Sequence, residues 1–302
     1  MLKIRKFAAI DIGSNAVRLL VANILEQEDE PTLFRKNSLV RVPIRLGADV
    51  FQNNCVSVHN INRLKDAMTA FKLLMRTHGV EIYKACATSA MREADNKLDI
   101  RKEIMQESGI FIDIIDGDEE ATIIAATDLS DFIDNTKTYL YVDVGGGSTE
   151  FSIIHNGRKQ LSRSFKIGTV RLLNEQVSDQ HWNDVRSWIN EVSSDYDRIS
   201  VIGTGGNINK IFKLSGKQMG NPLTYFYLSS FYEDLQRYSL DERIIELNLN
   251  TDRADVIIHA ARIYLFAMKH SRAKHIYVPK IGLSDGIIKS LYYGNVQGHT
   301  VD

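Results

Sequence analysis

The chain has 302 residues, with 37 Lys and Arg against 38 Asp and Glu, a formal net charge of −1, and 44% hydrophobic residues. That balance excludes a general basic field for recruiting nucleic acid or anionic membrane, so any polyanion must be held by a local cationic cluster. The length predicts two domains, each with its own core. The two cysteines, Cys55 and Cys86, have no metal-like spacing and read as reduced core residues. The N-terminus runs straight into a strand and no apolar run reaches membrane-spanning length. No signal peptide is therefore expected, and the expected location is the cytoplasm.

In chain order, residues 6–12 and 16–25 read as a hairpin, and alternation over 32–44 predicts a third strand. From Asn60 the period changes: Ile61, Leu64, Met68, Phe71 and Met75 mark an amphipathic helix to about Thr77, stopped by Gly79. A buried strand at 82–87, a helical turn after Thr88, a helix over 98–108 and a strand at 110–115 follow. Asp116-Gly-Asp-Glu119-Glu120 opens the next helix, the crossover between halves, with acids in the first turn where the dipole favours them. A second hairpin runs through 139–154, with its third strand at 158–165. Trp182, Val185, Ile189 and Val192 predict a helix, and the strand at 199–202 ends in Gly203-Thr-Gly205-Gly206-Asn207. Helical stretches at 229–249 and 253–270, a strand at 276–279 and a last helix from Asp285 complete the chain. Strands first and then alternating strands and helices, twice over, predict a duplicated α/β fold.

The second hairpin carries Asp143-Val-Gly145-Gly146-Gly147-Ser148-Thr149-Glu150. Consecutive glycines let backbone N–H groups converge on an anion that a Cβ would keep away. Asp143 offers a hard oxygen to magnesium, Ser148 and Thr149 add hydroxyls, and Glu150 re-enters the cleft from the second strand. The first hairpin aligns onto it without a gap: Asp11 on Asp143, Gly13 on Gly145, Ser14 and Asn15 on the next two glycines, and Arg18 on Glu150. Two related loops predict two related domains facing across a cleft, residues 1–124 and 125–302, hinged near 120–130, with the final helix from about 285 able to pack on the first. The turn at 88–92 and the glycines 203–206 stand at further strand ends, where ligands of such sheets collect. Arg92 reads either as a phosphate contact or as a surface ion pair, and Arg18 either as a phosphate contact or as a partner of Glu150. Glu119 and Glu120 read as capping residues or as catalytic ones. Arg253, Asp255 and His259 read as structural.

Asp-Ile-Gly-Ser-Asn15, Ala-Thr-Ser-Ala-Met-Arg92, Gly-Asp-Glu-Glu-Ala121 and Asp-Val-Gly-Gly-Gly-Ser-Thr-Glu150, in that order, resemble the exopolyphosphatase/guanosine pentaphosphate phosphohydrolase family. The resemblance runs from Phe7 to about Leu291 and includes Asp252-Arg-Ala-Asp-Val256. It implies duplicated actin-like domains of the sugar kinase, Hsp70 and ribonuclease H type. It implies magnesium-assisted release of terminal phosphate from inorganic polyphosphate, with guanosine pentaphosphate as the alternative substrate, and a homodimer. It makes Glu120 the general base with Glu119 as fallback, Asp143 and Glu150 the metal and water-positioning carboxylates, and Ser14, Asn15, Arg92 and 145–148 phosphate contacts. Asp11 would reach the metal through water.

Two departures stand out. The helical extension of many members is not in this sequence, which leads us to expect modest affinity for long chains. Gly282-Leu-Ser284-Asp285-Gly286 has Ser where the family commonly has Arg, so Lys280 is the candidate for that contact. Phosphotransfer to ADP and non-catalytic sensing of phosphate polymers are the competing function classes; retention of every acidic position speaks against the sensor.

Overall fold

The computed structural model describes residues 1–125, 127, 134 and 136–301. The chain divides into two units, 1–127 with 283–302, and 128–282. Residues 126 and 128–130 of the expected 120–130 hinge lie outside the described residues.

The first unit opens with β1 (Lys3–Ile12), β2 (Val17–Glu26) and β3 (Leu33–Val42), an antiparallel meander. α1 (Leu46–Asn53) follows, then α2 (Val58–His78), capped by the Ser57 hydroxyl and ended by Gly79 at φ 68°. α2 turns Leu64, Met68, Phe71 and Met75 inward at helical spacing. β4 (Ile82–Ala87) pairs parallel to β1, α3 (Ser89–Glu93) and α4 (Lys97–Ser108) follow, and β5 (Ile112–Ile114) pairs parallel to β4. α5 (Gly117–Ala125) then begins.

The second unit repeats the pattern. β6 (Thr138–Val144), β7 (Thr149–His155) and β8 (Arg158–Phe165) form the meander, followed by α6 (Thr169–Leu173) and α7 (Asp179–Ser193). β9 (Ile199–Thr204) pairs parallel to β6, and α8 (Gly206–Leu214) and β10 (Leu223–Thr224) follow. Helices α9 (Tyr225–Arg237), α10 (Leu240–Ile245), α11 (Thr251–Ala254) and α12 (Ile257–His270) lead to β11 (His275–Tyr277), parallel to β9. The strand order is β5-β4-β1-β2-β3 in one unit and β11-β9-β6-β7-β8 in the other, so the duplication covers five strands of each six-stranded sheet. Even the register shift recurs, between Val21 and Ala22 of β2 and between Ile153 and Ile154 of β7, each pair four and five residues into its strand. The second core gathers Phe151, Trp188, Phe212 and Tyr264 between sheet and helices.

α13 (Leu283–Tyr292) belongs to the first unit, where it packs on β1 and α5, and β12 (His299–Thr300) adds to β4. A Cβ on Gly286 would stand 2.2 Å from the Ile123 carbonyl, so α13 and α5 touch through backbone. Among the described residues no helix is long and apolar enough to cross a membrane.

Several elements differ from the sequence reading. The short α1 and α6 are additional. The expected helix over 229–249 is two helices starting at Tyr225, because Tyr238 is extended and Ser239 with Glu242 forms a capping box that begins α10. The strand expected at 276–279 is shorter and one residue earlier.

Candidate active site

Both meanders end in the same turn. The Gly13 N–H donates to the Ala16 carbonyl at 3.2 Å, and the Gly145 N–H to the Ser148 carbonyl at 3.0 Å, equivalent positions of the duplication. The turn carbonyls are tied back by the helix after each third strand. In the first unit Gly47 N–H donates to Ser14 O at 2.8 Å and Arg45 N–H to Asn15 O at 3.1 Å. In the second, Thr169 N–H reaches Gly145 O at 3.0 Å, Val170 N–H reaches Gly146 O at 2.8 Å, and Arg171 Nε reaches Gly147 O at 2.8 Å. In a trans peptide the C=O and N–H point opposite ways. Fixing three successive carbonyls toward α6 therefore aims the N–H groups of Gly146, Gly147 and Ser148 away from it. None of those three amides donates to a protein group among the described residues. Backbone amides aimed this way could cradle an anion.

Gly168 makes the arrangement possible. A Cβ there would lie 2.3 Å from Gly146 O and 2.5 Å from the Gly147 carbonyl carbon. Gly205, at φ 109°, brings the turn after β9 against the metal-type carboxylate: its Cβ would stand 3.3 Å from Asp143 Oδ1 and 3.0 Å from Val144 O. Gly206 begins α8 behind it. The peptide before Gly205 is held by buried phenols, with Tyr264 donating to Thr204 O and the Thr204 hydroxyl to Tyr141 at 2.8 Å. Burial first, and the Asp143 charge second, push both tyrosines well above the usual phenol range, so they stay neutral.

The strand residues facing each other beside the turns differ in charge. Asp11 stands opposite Arg18 in the β1–β2 register, and Arg18 Nη1 donates to Asp11 Oδ2 at 2.8 Å. Asp143 stands opposite Glu150 in the β6–β7 register. Two carboxylates directly across a ladder repel, and a hard cation removes that cost. Glu150 is buried, and its Oε1 accepts from Ser148 Oγ at 2.6 Å and Ser164 Oγ at 3.0 Å, which fixes the carboxylate plane. Thr149 is turned elsewhere, its hydroxyl donating to Ile167 O. The donor set of oxygens without thiol or imidazole fits magnesium.

In the first unit Ser14 Oγ lies 3.0 Å from Ser89 Oγ, and Thr88 N–H donates to Ile12 O, so the first turn and the 88–92 turn meet. Arg92 Nη1 donates to Ile115 O at 2.8 Å, which ties it to the end of β5. The cap of α5 is Asp116, whose Oδ1 accepts from the amides of Asp118 and Glu119. Capping therefore does not account for the glutamates. Glu119 is exposed and Glu120 is buried, at 8% exposure. Cys86 is the register partner of Asp11 on β4, and burial pushes its thiol up to about 12, which excludes a thiolate nucleophile. Lys280 lies 5.6 Å from the centre of the Phe212 ring, while Asp285 pairs with Lys36 at 2.8 Å.

Sequence reasoning missed Ser89, Ser164, Gly168, Arg171 and Tyr264. Drawing the register of the third strand would have found Ser164, which is paired with Glu150. Gly168 carries no local signal, because the lengths connecting hairpin to helix differ between the halves and no gapless alignment reaches it.

The pattern of the Ppx/GppA phosphatase family matches residues 27–293. A bifunctional 3-dehydroquinate synthase/phosphatase of Fusobacterium nucleatum is 31% identical over 216 residues, 66% of this chain and 32% of that longer protein. Exopolyphosphatase 1 of Mycobacterium tuberculosis is 21% identical over 94% of this chain and 87% of its own length. A guanosine-5'-triphosphate,3'-diphosphate pyrophosphatase of Aliivibrio fischeri is 29% identical over 58% of this chain and 34% of its own. The crystal structure of an exopolyphosphatase from Cytophaga hutchinsonii superposes with a TM-score of 0.82 over 96% of this chain and 98% of that one, at 19% identity, which shows a common fold. The repeated strand order is that of the actin-like fold, and with a family match spanning nearly the whole chain, this protein belongs to the Ppx/GppA phosphatase family.

Proposed function

We propose that the chain hydrolyses the terminal phosphoanhydride of inorganic polyphosphate, with magnesium as cofactor and water as nucleophile. The observation that carries the reading is the cradle of Gly146, Gly147 and Ser148 amides beside two register-opposed carboxylates, Asp143 and Glu150. Phosphoryl transfer needs positioning and charge stabilisation more than covalent chemistry, and a pinned backbone cradle with a cation site supplies both. Asp143 and Glu150 would hold the magnesium, which when bound neutralises charge developing on the transferred phosphoryl group. Asp11 keeps the Arg18 guanidinium in place, and Ser14, Asn15, Arg18 and Arg92 contact phosphate oxygens. Glu120, the buried member of its pair, takes the proton of the attacking water, while Glu150 orients that water.

Inorganic polyphosphate is favoured over guanosine pentaphosphate because the exopolyphosphatase relative aligns over nearly all of both chains, whereas the pyrophosphatase relative aligns over part of each. The test is phosphate release from polyphosphate and from guanosine pentaphosphate, with and without ADP, for the wild type and three variants. Glu120→Gln should lose about 10²- to 10⁴-fold in kcat, the usual worth of a general base. Glu119→Gln should stay near wild type, and Asp143→Asn should raise the magnesium concentration that gives half-maximal rate. Near-normal turnover in Glu120→Gln would remove it as the base, and ATP formed from ADP would replace hydrolysis with phosphotransfer.

A further inference from the structure

The second sheet is also hollowed at its other end. β9 and β11 run parallel, and their first residues, Ile199 and His275, line a depression of about 1000 Å³. The glycine turn beside Asp143 lies at the opposite, C-terminal end of β9. The six residues of that strand separate the two ends by roughly 20 Å, at about 3.3 Å per residue. A ligand in the depression is therefore remote from the anion cradle of the same unit.

Its walls come from the end of α7, the connection into β9 and the return from α12 to β11. They carry Arg198, Arg272 and Lys274, with His270 and His275 beside them and Asp197 as the acid. Among the described residues none of the three long cationic side chains forms an ion pair or hydrogen bond. Three cations against one acid give this concave surface a local positive excess in a chain whose charges balance at 37 against 38. Ser193 Oγ, on the same wall, is buried and has no hydrogen-bond partner.

Arg272 follows the end of the helix that leads into this wall. α12 ends in a Schellman turn, with Ala273 N–H on Met268 O and Arg272 N–H on Lys269 O, which places Arg272 at φ 55°. Glycine is the cheaper residue in that left-handed position, so a guanidinium there is held at a conformational cost. Arginine forks and a lysine ammonium around a polar depression match the oxygens of linked phosphates, and the polar walls do not suit an apolar ligand.

We propose that this depression is a second anion site that binds an oligophosphate, a chain of two or more linked phosphates, apart from the site of hydrolysis. The proposal does not require that polyphosphate be the substrate, since it is tested by binding alone. Inorganic tripolyphosphate is titrated calorimetrically into the full-length chain at low salt in EDTA, for wild type, Arg272→Gly, and the triple variant Arg198→Ala, Arg272→Gly, Lys274→Ala. Whatever the glycine turn binds is common to all three proteins and cancels in the comparison. The expected result is at least a tenfold loss of affinity, or loss of one binding equivalent, in the triple variant, about threefold in Arg272→Gly, and weakening with added salt. Arg272→Gly removes the cation while relaxing the backbone, so it stays informative if the triple variant fails to fold. Unchanged binding in Arg272→Gly and in a folded triple variant, or no tripolyphosphate binding by wild type, would overturn the proposal. Equal binding of orthophosphate would overturn the assignment to linked phosphates.

Discussion

Gly168 offers a perturbation whose size can be worked from the structure. Its backbone, at φ −137° and ψ 164°, is open to any residue, so Gly168→Ala introduces no conformational strain of its own. The added methyl would meet Gly146 O at 2.3 Å, where an ordinary contact begins at 3.4 Å. Relief requires a displacement of about 1 Å, and the atoms that must move are the peptides of the anion cradle. A misplacement of that size in a positioned reaction is worth on the order of 10²-fold in rate. The overpacking itself costs about 1–3 kcal/mol of stability. In the first unit Gly47→Ala meets the Phe51 ring at 2.7 Å, which can turn aside, and Ser14 Cβ at 2.9 Å, which the backbone of the first turn fixes, so it should lower both melting temperature and turnover. The assay is kcat and KM for phosphate release beside a thermal melt for each variant. A Gly168→Ala enzyme within threefold of wild-type kcat would refute the idea that α6 positions the cradle through its tied carbonyls.

Two further outcomes follow from titrating groups. Iodoacetamide applied to the native chain at pH 8 should label the half-buried Cys55 and spare Cys86, whose thiol, pushed up to about 12, is thiolate in roughly one molecule in 10⁴; mass spectrometry showing Cys86 labelled without denaturant would contradict this. Asp49 is raised by burial but held lower, on balance, by hydrogen bonds from the Ser57 hydroxyl and amide and from Asn60. A depressed carboxyl stabilises the fold above its unfolded pKa and loses that contribution as pH falls through the folded value. Asp49→Asn should therefore destabilise by about 1–2 kcal/mol at pH 7 and by less at pH 3, measured by urea unfolding; an equal loss at both would refute the linkage.

How much of this was legible in the sequence depends on the range of the interaction. The hairpins were legible because a strand pair joined by a short turn writes its register locally: Asp11 must face Arg18 once the turn closes between Gly13 and Ala16. The amphipathic stripe of α2 was legible for the same reason. Helices α1 and α6 were not, because five to eight residues hold too few turns to show a period, and their role is set by contacts 24 to 33 residues back in the chain. The two adjacent glutamates on α5 could not be ranked by spacing alone; packing separates them, exposing Glu119 and burying Glu120. For Arg18 the sequence reading offered phosphate or Glu150 as partner; the structure corrects the second, since Arg18 pairs with Asp11, its register neighbour on the same hairpin.

That pairing has a numerical consequence. The two halves share strand order, bulge and turn, yet one closes its charge internally through Arg18 and the other sets Asp143 against Glu150. A duplicated scaffold would ordinarily double its ligands, but only one of the two hairpins carries a carboxylate pair; if Asp143 and Glu150 take magnesium, the hairpins would hold one ion and not two. Arg18→Glu would then be the single substitution that restores the symmetry, turning a stoichiometry of one into a stoichiometry of two.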